Sequence, residues 1–244
     1  MTATPPADGT GSASTPNDPS HPETIDWPAF WRDADDDDRE SANAAAHHAA
    51  DLIPRFAAAR GGIDSAADVA CGGAALTFAL ADRFPDADVR GYDIAESVLA
   101  ENREEAGERG VGNVAFERGV LPDFDPGRQF DLVACCYALD YVADSERALQ
   151  SLYDAVAPGG SLVVTFTNRL GRAHFQRVVD DPPEAVDPER YAERFGLVLA
   201  GESTLSYDAV HDALGTWPRS FWEVVDKPEQ RWAWRNHPLV WVPK

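Results

Sequence analysis

Lysine is nearly absent from this chain. Lys227 and Lys244 are its whole supply, and 21 Lys+Arg stand against 42 Asp+Glu for a net charge of −21. No basic stripe and no aromatic RNA-binding signature interrupts the acidic excess, so the surface repels phosphate backbones and nucleic acid is disfavoured as a partner. There are three cysteines. Two of them, Cys135 and Cys136, are adjacent in a predicted strand, where neighbours point to opposite faces, so they neither bridge nor chelate one metal. No zinc or iron spacing is present, and the aspartates at 35–38 read as a solvated helix start, so no metal is expected. No apolar run reaches membrane-spanning length, and the N-terminus has neither a basic n-region nor an apolar core. The expectation is a cytoplasmic protein with no membrane partner.

The 244 residues suit one substantial core. Residues 1–23 are rich in Thr, Ser, Pro, Gly and Asp and predict a disordered tail. The rest, 24–244, reads as a single domain. An aromatic helix begins near Trp27-Pro28-Ala29-Phe30-Trp31, and a helix over 39–60 follows, with His47-His48 midway and Pro54 expected to kink or divide it. Strands are predicted at Ala66–Ala70, Asp88–Asp93, Val114–Arg118, Phe130–Cys136 and Ser161–Thr167. Helices are predicted at Ala75–Phe84, Ala95–Arg109 and Ser145–Val156. Strand–helix alternation with nearly all-apolar strands implies an α/β fold, a doubly wound and mostly parallel sheet covered on both faces. Beyond Pro182-Pro183, a helix is predicted over Pro188–Phe195 and a strand over Leu197–Ser206. Helical stretches follow at Tyr207–Leu214 and Ser220–Val225, and a last strand at Leu239–Val242.

Asp68-Val69-Ala70-Cys71-Gly72-Gly73-Ala74-Ala75 reads as a buried strand, a small-residue turn and a helix start. About twenty residues on, Gly91-Tyr92-Asp93 ends the next strand in an acid. Small residues let backbone approach a ligand, a helix N-terminus faces it, and a carboxylate accepts from ribose hydroxyls, so the pair describes a nucleotide pocket. Asp93, the segment from Arg118 to Leu121, and the segment from Tyr137 to Tyr141 all fall on the carboxyl edge of the sheet, where ligands bind such folds.

On these residues the chain resembles the class I S-adenosylmethionine-dependent methyltransferases of small-molecule type. Asp68 to Ala74 is similar to the family's glycine-rich first motif, D-x-G-x-G-x-G. Asp93 matches its ribose-holding acid, Phe130-Asp131-Leu132-Val133 the start of its fourth strand, and Ala157-Pro158-Gly159-Gly160-Ser161-Leu162 the turn into its fifth. The resemblance implies a seven-stranded Rossmann-like sheet with its last strand antiparallel, and S-adenosyl-L-methionine as cofactor. It divides the domain into an N-terminal helical lid (24–62), a cofactor-binding core (63–168) and C-terminal strands with a Trp-rich helical insertion (169–244). The cofactor-binding residues it implies are Asp68, Ala70, Cys71, Gly72, Asp93, Ile94, Gly119, Val120 and Tyr137. Ala70 and Ala74 stand where the motif has its first and third glycines, and Ala70 is expected in an ordinary β conformation. Gly119-Val120 replaces the acid that usually meets the adenine, which leaves backbone groups or Asp123 to substitute.

Methyl transfer to a hydroxyl or thiol also needs a base. Tyr137 and Asp140, just after the fourth strand, and His47 on the preceding helix are the candidate catalytic residues; His48 and His211 are further histidines of the same type. The partner is then a small-molecule acceptor. The tryptophans of the tail could cover that acceptor, fill the sheet's far face or join a homodimer. Two alternatives stand beside this reading. One is a protein that binds the cofactor or its demethylated product without turnover; the other is a nicotinamide-dependent oxidoreductase. The dispersed acidity with scarce lysine resembles the surfaces of proteins from salt-loving archaea.

Overall fold

The computed structural model describes residues 25–35, 39, 46–227 and 236–244. The tail expected at 1–23, the aspartates at 36–38, and Trp232 and Trp234 lie outside the described residues. The centre of the chain alternates strand and helix: β1 (Ser65–Val69), α3 (Ala75–Arg83), β2 (Asp88–Asp93), α4 (Glu96–Arg109), β3 (Val114–Arg118), β4 (Phe130–Cys135), α5 (Ser145–Asp154) and β5 (Val156–Thr165). Before it stand α1 (Trp27–Asp33) and α2 (Ala46–Ala59). After it come α6 (Arg169–Asp180), α7 (Pro188–Arg194), α8 (Gly196–Ala200), α9 (Tyr207–Leu214), β6 (Arg219–Ser220) and β7 (Leu239–Pro243).

The seven strands form one sheet in the order β3-β2-β1-β4-β5-β7-β6. The first five are parallel and β7 runs antiparallel to both β5 and β6. Strand period decides how the sheet is covered. On β4, β5 and β7, the residues Val133, Leu162, Val164, Val240 and Val242 join one core with Leu149 and Leu152 of α5 and Val210 of α9. Their alternates Leu132, Ala134, Val163 and Trp241 join a second core with Leu52, Ile53 and Phe56 of α2, Leu76 and Leu80 of α3, and Phe221. Two covered faces leave the strand ends as the place for a ligand.

Several elements differ from the sequence-based expectation, the unexpected helix α6 among them. Pro54 does not divide its helix, and lies buried within the continuous α2. The segment from Leu197, expected as a strand, is the short helix α8, stopped by Gly201 at φ 88°, whose N–H returns to the Leu197 and Val198 carbonyls. β5 begins at Val156 and carries Pro158-Gly159-Gly160 inside it, with a register shift opposite Phe130 and Leu132. A side chain at Gly160 would meet the Asp131 carbonyl at 2.7 Å, so only glycine lets β5 close onto β4 there. The helix expected at Ser220–Val225 shrinks to a 3-10 turn at Phe221–Glu223 behind the two-residue strand β6.

Candidate active site at the carboxyl edge of the sheet

The loop after β1 is held by backbone and by buried side chains. Cys71 N–H donates to the Tyr92 carbonyl at 2.9 Å and Ala74 N–H to the Cys71 carbonyl at 2.9 Å. Asn102 of α4, buried, donates from Nδ2 to the Gly72 carbonyl at 2.8 Å. Ala70 and Ala74 both adopt the left-handed region, at φ 61° and 58°, beside Gly72 at 48°. The expectation of a β conformation at Ala70 is therefore corrected. The turn keeps the geometry glycines would give it, and each alanine is strained by about 1–2 kcal/mol.

Asp93 ties the two halves of the nucleotide motif together. Its Oδ2 accepts from Gly72 N–H at 2.9 Å and its Oδ1 from Ala95 N–H at 3.0 Å. Burial raises its carboxyl above the usual range, opposed by the backbone N–H groups of Ala95 and Gly72. Asp68 lies off the wall of the cavity described next. It is buried on the α3 side of β1 and accepts from Thr77 Oγ1 at 2.7 Å. Burial pushes its carboxyl up to about 7, with Thr77 opposing and the charge of Asp93 adding to the rise.

A cavity of about 400 Å³ opens at this edge, within the range of roughly 300–1,000 Å³ usual for small-molecule sites. Ala70, Cys71, Gly72, Asp93, Ile94, Gly119 and Tyr137 line it, as the sequence implied. Val120 does not, and Leu121 takes that place. Asp123 is exposed in an ion pair with Arg147 at 2.5 Å and is no substitute for the missing acid after β3. His47 and His48 are exposed on α2 and do not reach the cavity; His211 is stacked on Trp217, with centroids 4.1 Å apart, away from it.

The far half of the cavity is built after β4 and from the tail. Tyr137 sits at φ 60° and donates its N–H to Thr165 Oγ1 at 2.7 Å. Asp140, in the 3-10 turn Leu139–Tyr141, is 5 % exposed. Its Oδ2 lies 3.4 Å from His237 Nε2, and its buried Oδ1 has no hydrogen-bond partner. Tyr141 accepts from Arg194 Nε at 3.2 Å. Burial pushes the Tyr141 phenol up to about 12, against the opposing Arg194 charge, and raises that of Tyr137 further. Both phenols thus remain protonated donors near neutral pH. Burial likewise raises the Cys71 and Cys136 thiols, so neither is a thiolate nucleophile there.

Trp27 and Trp31 of α1 wall one side, Trp27 meeting Tyr141 edge-on at 4.9 Å. His174 and Phe175 of α6, Tyr191 and Arg194 of α7, Phe195 and His237 complete the other side. Sequence reasoning missed these six. One signal could have found His237: a final antiparallel strand begins at the carboxyl edge of its parallel neighbours, so the residues just before Leu239 must lie there.

Among the described residues no group of three or more His, Cys, Asp or Glu could hold a metal ion, and no helix is long and apolar enough to cross a membrane. A family model described as a methyltransferase domain matches residues 67–162. The chain is 30% identical over 164 residues to a ubiquinone biosynthesis O-methyltransferase of Methylococcus capsulatus, covering 59% of this chain and 68% of that protein. It is 33% identical over 184 residues to a trans-aconitate 2-methyltransferase of Variovorax paradoxus, covering 72% of this chain and 64% of that one. A demethylmenaquinone methyltransferase of Thermus thermophilus is 39% identical over 120 residues, covering 46% of this chain and 54% of its own length. The chain thus spans between about half and two thirds of these relatives. In fold it is similar to the plantazolicin methyltransferase BpumL, solved with S-adenosylhomocysteine and a desmethyl substrate analogue, at a TM-score of 0.62 and 12% identity over 88% of this chain and 92% of that one. The chain belongs to the class I S-adenosylmethionine-dependent methyltransferases.

Proposed function

We propose that the chain transfers the methyl group of S-adenosylmethionine to a hydroxyl of a small, flat acceptor, with Asp140 and His237 receiving the hydroxyl proton. The residues present fit the cofactor. Asp93 retains lone pairs for ribose hydroxyls after accepting its two backbone bonds, and Ala70, Cys71 and Gly72 present only small groups to the cavity. Bound there, the cofactor supplies a methyl group on a positive sulfonium. Trp27 and Trp31 offer aromatic faces of the kind cations favour and cover the edge of the sheet as a lid.

The observation that carries the hydroxyl is Asp140, a buried carboxylate of the cavity wall whose Oδ1 has no hydrogen-bond partner among the described residues. An unsatisfied buried group costs about 1–3 kcal/mol, which a donor on the acceptor would recover. With His237 Nε2 beside the other oxygen, a proton leaving that donor has an imidazole next to it, the side chain suited to proton transfer near neutrality. Tyr137 and Tyr141 then act as positioning donors. Relatives named for ubiquinone biosynthesis, demethylmenaquinone and trans-aconitate support a small acceptor.

Incubation of the purified chain with methyl-labelled S-adenosylmethionine and a panel of phenols, hydroxy acids, amines and thiols tests this. Label on a hydroxyl oxygen is expected, and label confined to amines would overturn the base assignment. The strain at Ala70 and Ala74 favours one second reading, a chain that binds the cofactor without turnover. Tight cofactor binding with no label transferred to any acceptor, including those in a cell extract, would select it.

A further inference from the structure

Several arginines of this molecule pair with carboxylate, all of them away from the cavity. Arg39 pairs with Glu101, Arg90 with Asp88 and Glu117, Arg103 with Glu96, Arg109 with Asp82 and Glu105, and Arg128 with Asp88. Arg194 is different. It lines the cavity, and among the described residues it has no carboxylate within 4.0 Å; its one hydrogen bond there runs from Nε to Tyr141 Oη at 3.2 Å. Both terminal Nη groups therefore keep their donors. The guanidinium is also held in place, with Cζ 5.7 Å from the Trp27 ring centroid and 5.5 Å from that of Phe195. A fixed, planar fork with unmatched N–H groups is the group that takes a carboxylate in two parallel hydrogen bonds.

We infer that Arg194 is the anchor for an acidic group of the methyl acceptor, and that the acceptor is a flat hydroxy acid lying between Arg194 and the Asp140–His237 pair. This rests on the hydroxyl-methylating reading above and narrows it. Two features of the cavity supply the complementary chemistry. The Asp140–His237 pair of the cavity wall suits a hydroxyl, and Arg194 lacks an anion, which a carboxylate provides. Asp140 is not within ion-pair distance of Arg194, its Oδ2 being turned to His237 at 3.4 Å, so the two groups address different ends of one molecule. Between them stand Phe175, Tyr191 and Phe195, whose rings meet at 4.6 and 4.7 Å around Phe195. Such a wall suits a planar apolar body. Arg194 is the arginine among the residues that line this cavity, so it is where an anion entering the cavity meets positive charge.

The test compares 4-hydroxybenzoate with 4-hydroxybenzamide, which share a hydroxyl and a ring and differ in charge. Binding is followed by ligand-observed NMR on the full chain saturated with S-adenosylhomocysteine. The wild type should hold the acid at least about tenfold tighter than the amide, as a charge-assisted bidentate pair implies. R194Q should bring the two to near-equal affinity, and R194K, a point charge without the fork, should keep an intermediate preference. Affinity for S-adenosylhomocysteine should be unchanged in both variants. Equal binding of acid and amide by the wild type, binding of neither, or a full acid preference surviving in R194Q overturns the anchor. The wild-type comparison decides this even where a variant fails to fold. A wild-type chain that does not bind S-adenosylhomocysteine at all overturns the cofactor reading with it, so the two failures are told apart.

Discussion

Asp93→Ala should damage the fold of the pocket and the grip on the cofactor together, and Asp93→Asn should separate the two. In the ligand-free chain the carboxylate accepts two backbone hydrogen bonds, from Gly72 at 2.9 Å and Ala95 at 3.0 Å. Hydrogen bonds to a charged group contribute about 1.5–3 kcal/mol each, and the Ala95 N–H, fully buried, would be left with no acceptor. Against this, removing a carboxylate that burial already disfavours returns part of the loss. The balance is a destabilisation of about 2 kcal/mol, or a Tm lower by roughly 4–8 °C for a chain of this size. Asparagine keeps an oxygen for one of the two N–H groups and should lose about half as much. Affinity for S-adenosylhomocysteine should fall about tenfold or more in both variants, because the ribose hydroxyls lose a charged acceptor. Thermal melts and calorimetric titrations on the three proteins measure these quantities. An alanine variant that melts with the wild type would refute the structural role of the carboxylate, and one that binds the cofactor product equally well would refute its place beside the ribose.

Asp68 sets a pH dependence. Its folded pKa of about 7 lies above the ordinary value near 4, so the folded state binds more protons than the unfolded one between those limits. Its contribution is fully present below about pH 4 and is lost as pH rises to about 7, by up to about 4 kcal/mol. Asp68→Asn should flatten urea-measured stability across that window, and parallel curves would contradict the assignment. Ala70→Gly relieves a left-handed alanine whose methyl is exposed, and should stabilise by about 1 kcal/mol. Ala74→Gly relieves similar strain but removes a methyl that is 0% exposed, a loss of about 0.8 kcal/mol. Its melting temperature should therefore scarcely move, and equal gains in the two variants would show that strain is not the cause. Asp140→Asn and His237→Gln should each lower kcat for a hydroxyl acceptor by about 10²–10⁴-fold while leaving cofactor affinity intact. Unimpaired turnover would remove the pair from the chemistry.

The half of the cavity proposed for the cofactor was the more legible in sequence because it is local. Gly72 lies in the loop after β1, found one residue earlier than expected at Ser65–Val69, and Asp93 ends β2 with the expected bounds, so strand order brings them to one edge. Asp68 misled because motif membership does not say which way a strand residue points; its neighbour Thr77, one turn into α3, decides that. The segment from Leu197 looked like a strand because an apolar run as short as Leu197-Val198-Leu199-Ala200 has no period of its own, and the left-handed Gly201 that closes the helix is an ordinary loop residue in sequence. The helix α6 escaped notice because its face is mostly arginine and polar, with only Gly171 and Phe175 buried. The acceptor half was hidden for a different reason. His174, Arg194 and His237 lie far from Asp140 in sequence and share its cavity only through packing of the tail over the sheet, which no local pattern encodes.

Calorimetric titration of the purified chain with S-adenosylhomocysteine, and separately with NAD, measures the pocket at Gly72 and Asp93 directly. Saturation of one site by S-adenosylhomocysteine with no heat from NAD is the predicted result. Saturation by NAD with S-adenosylhomocysteine silent would contradict the account.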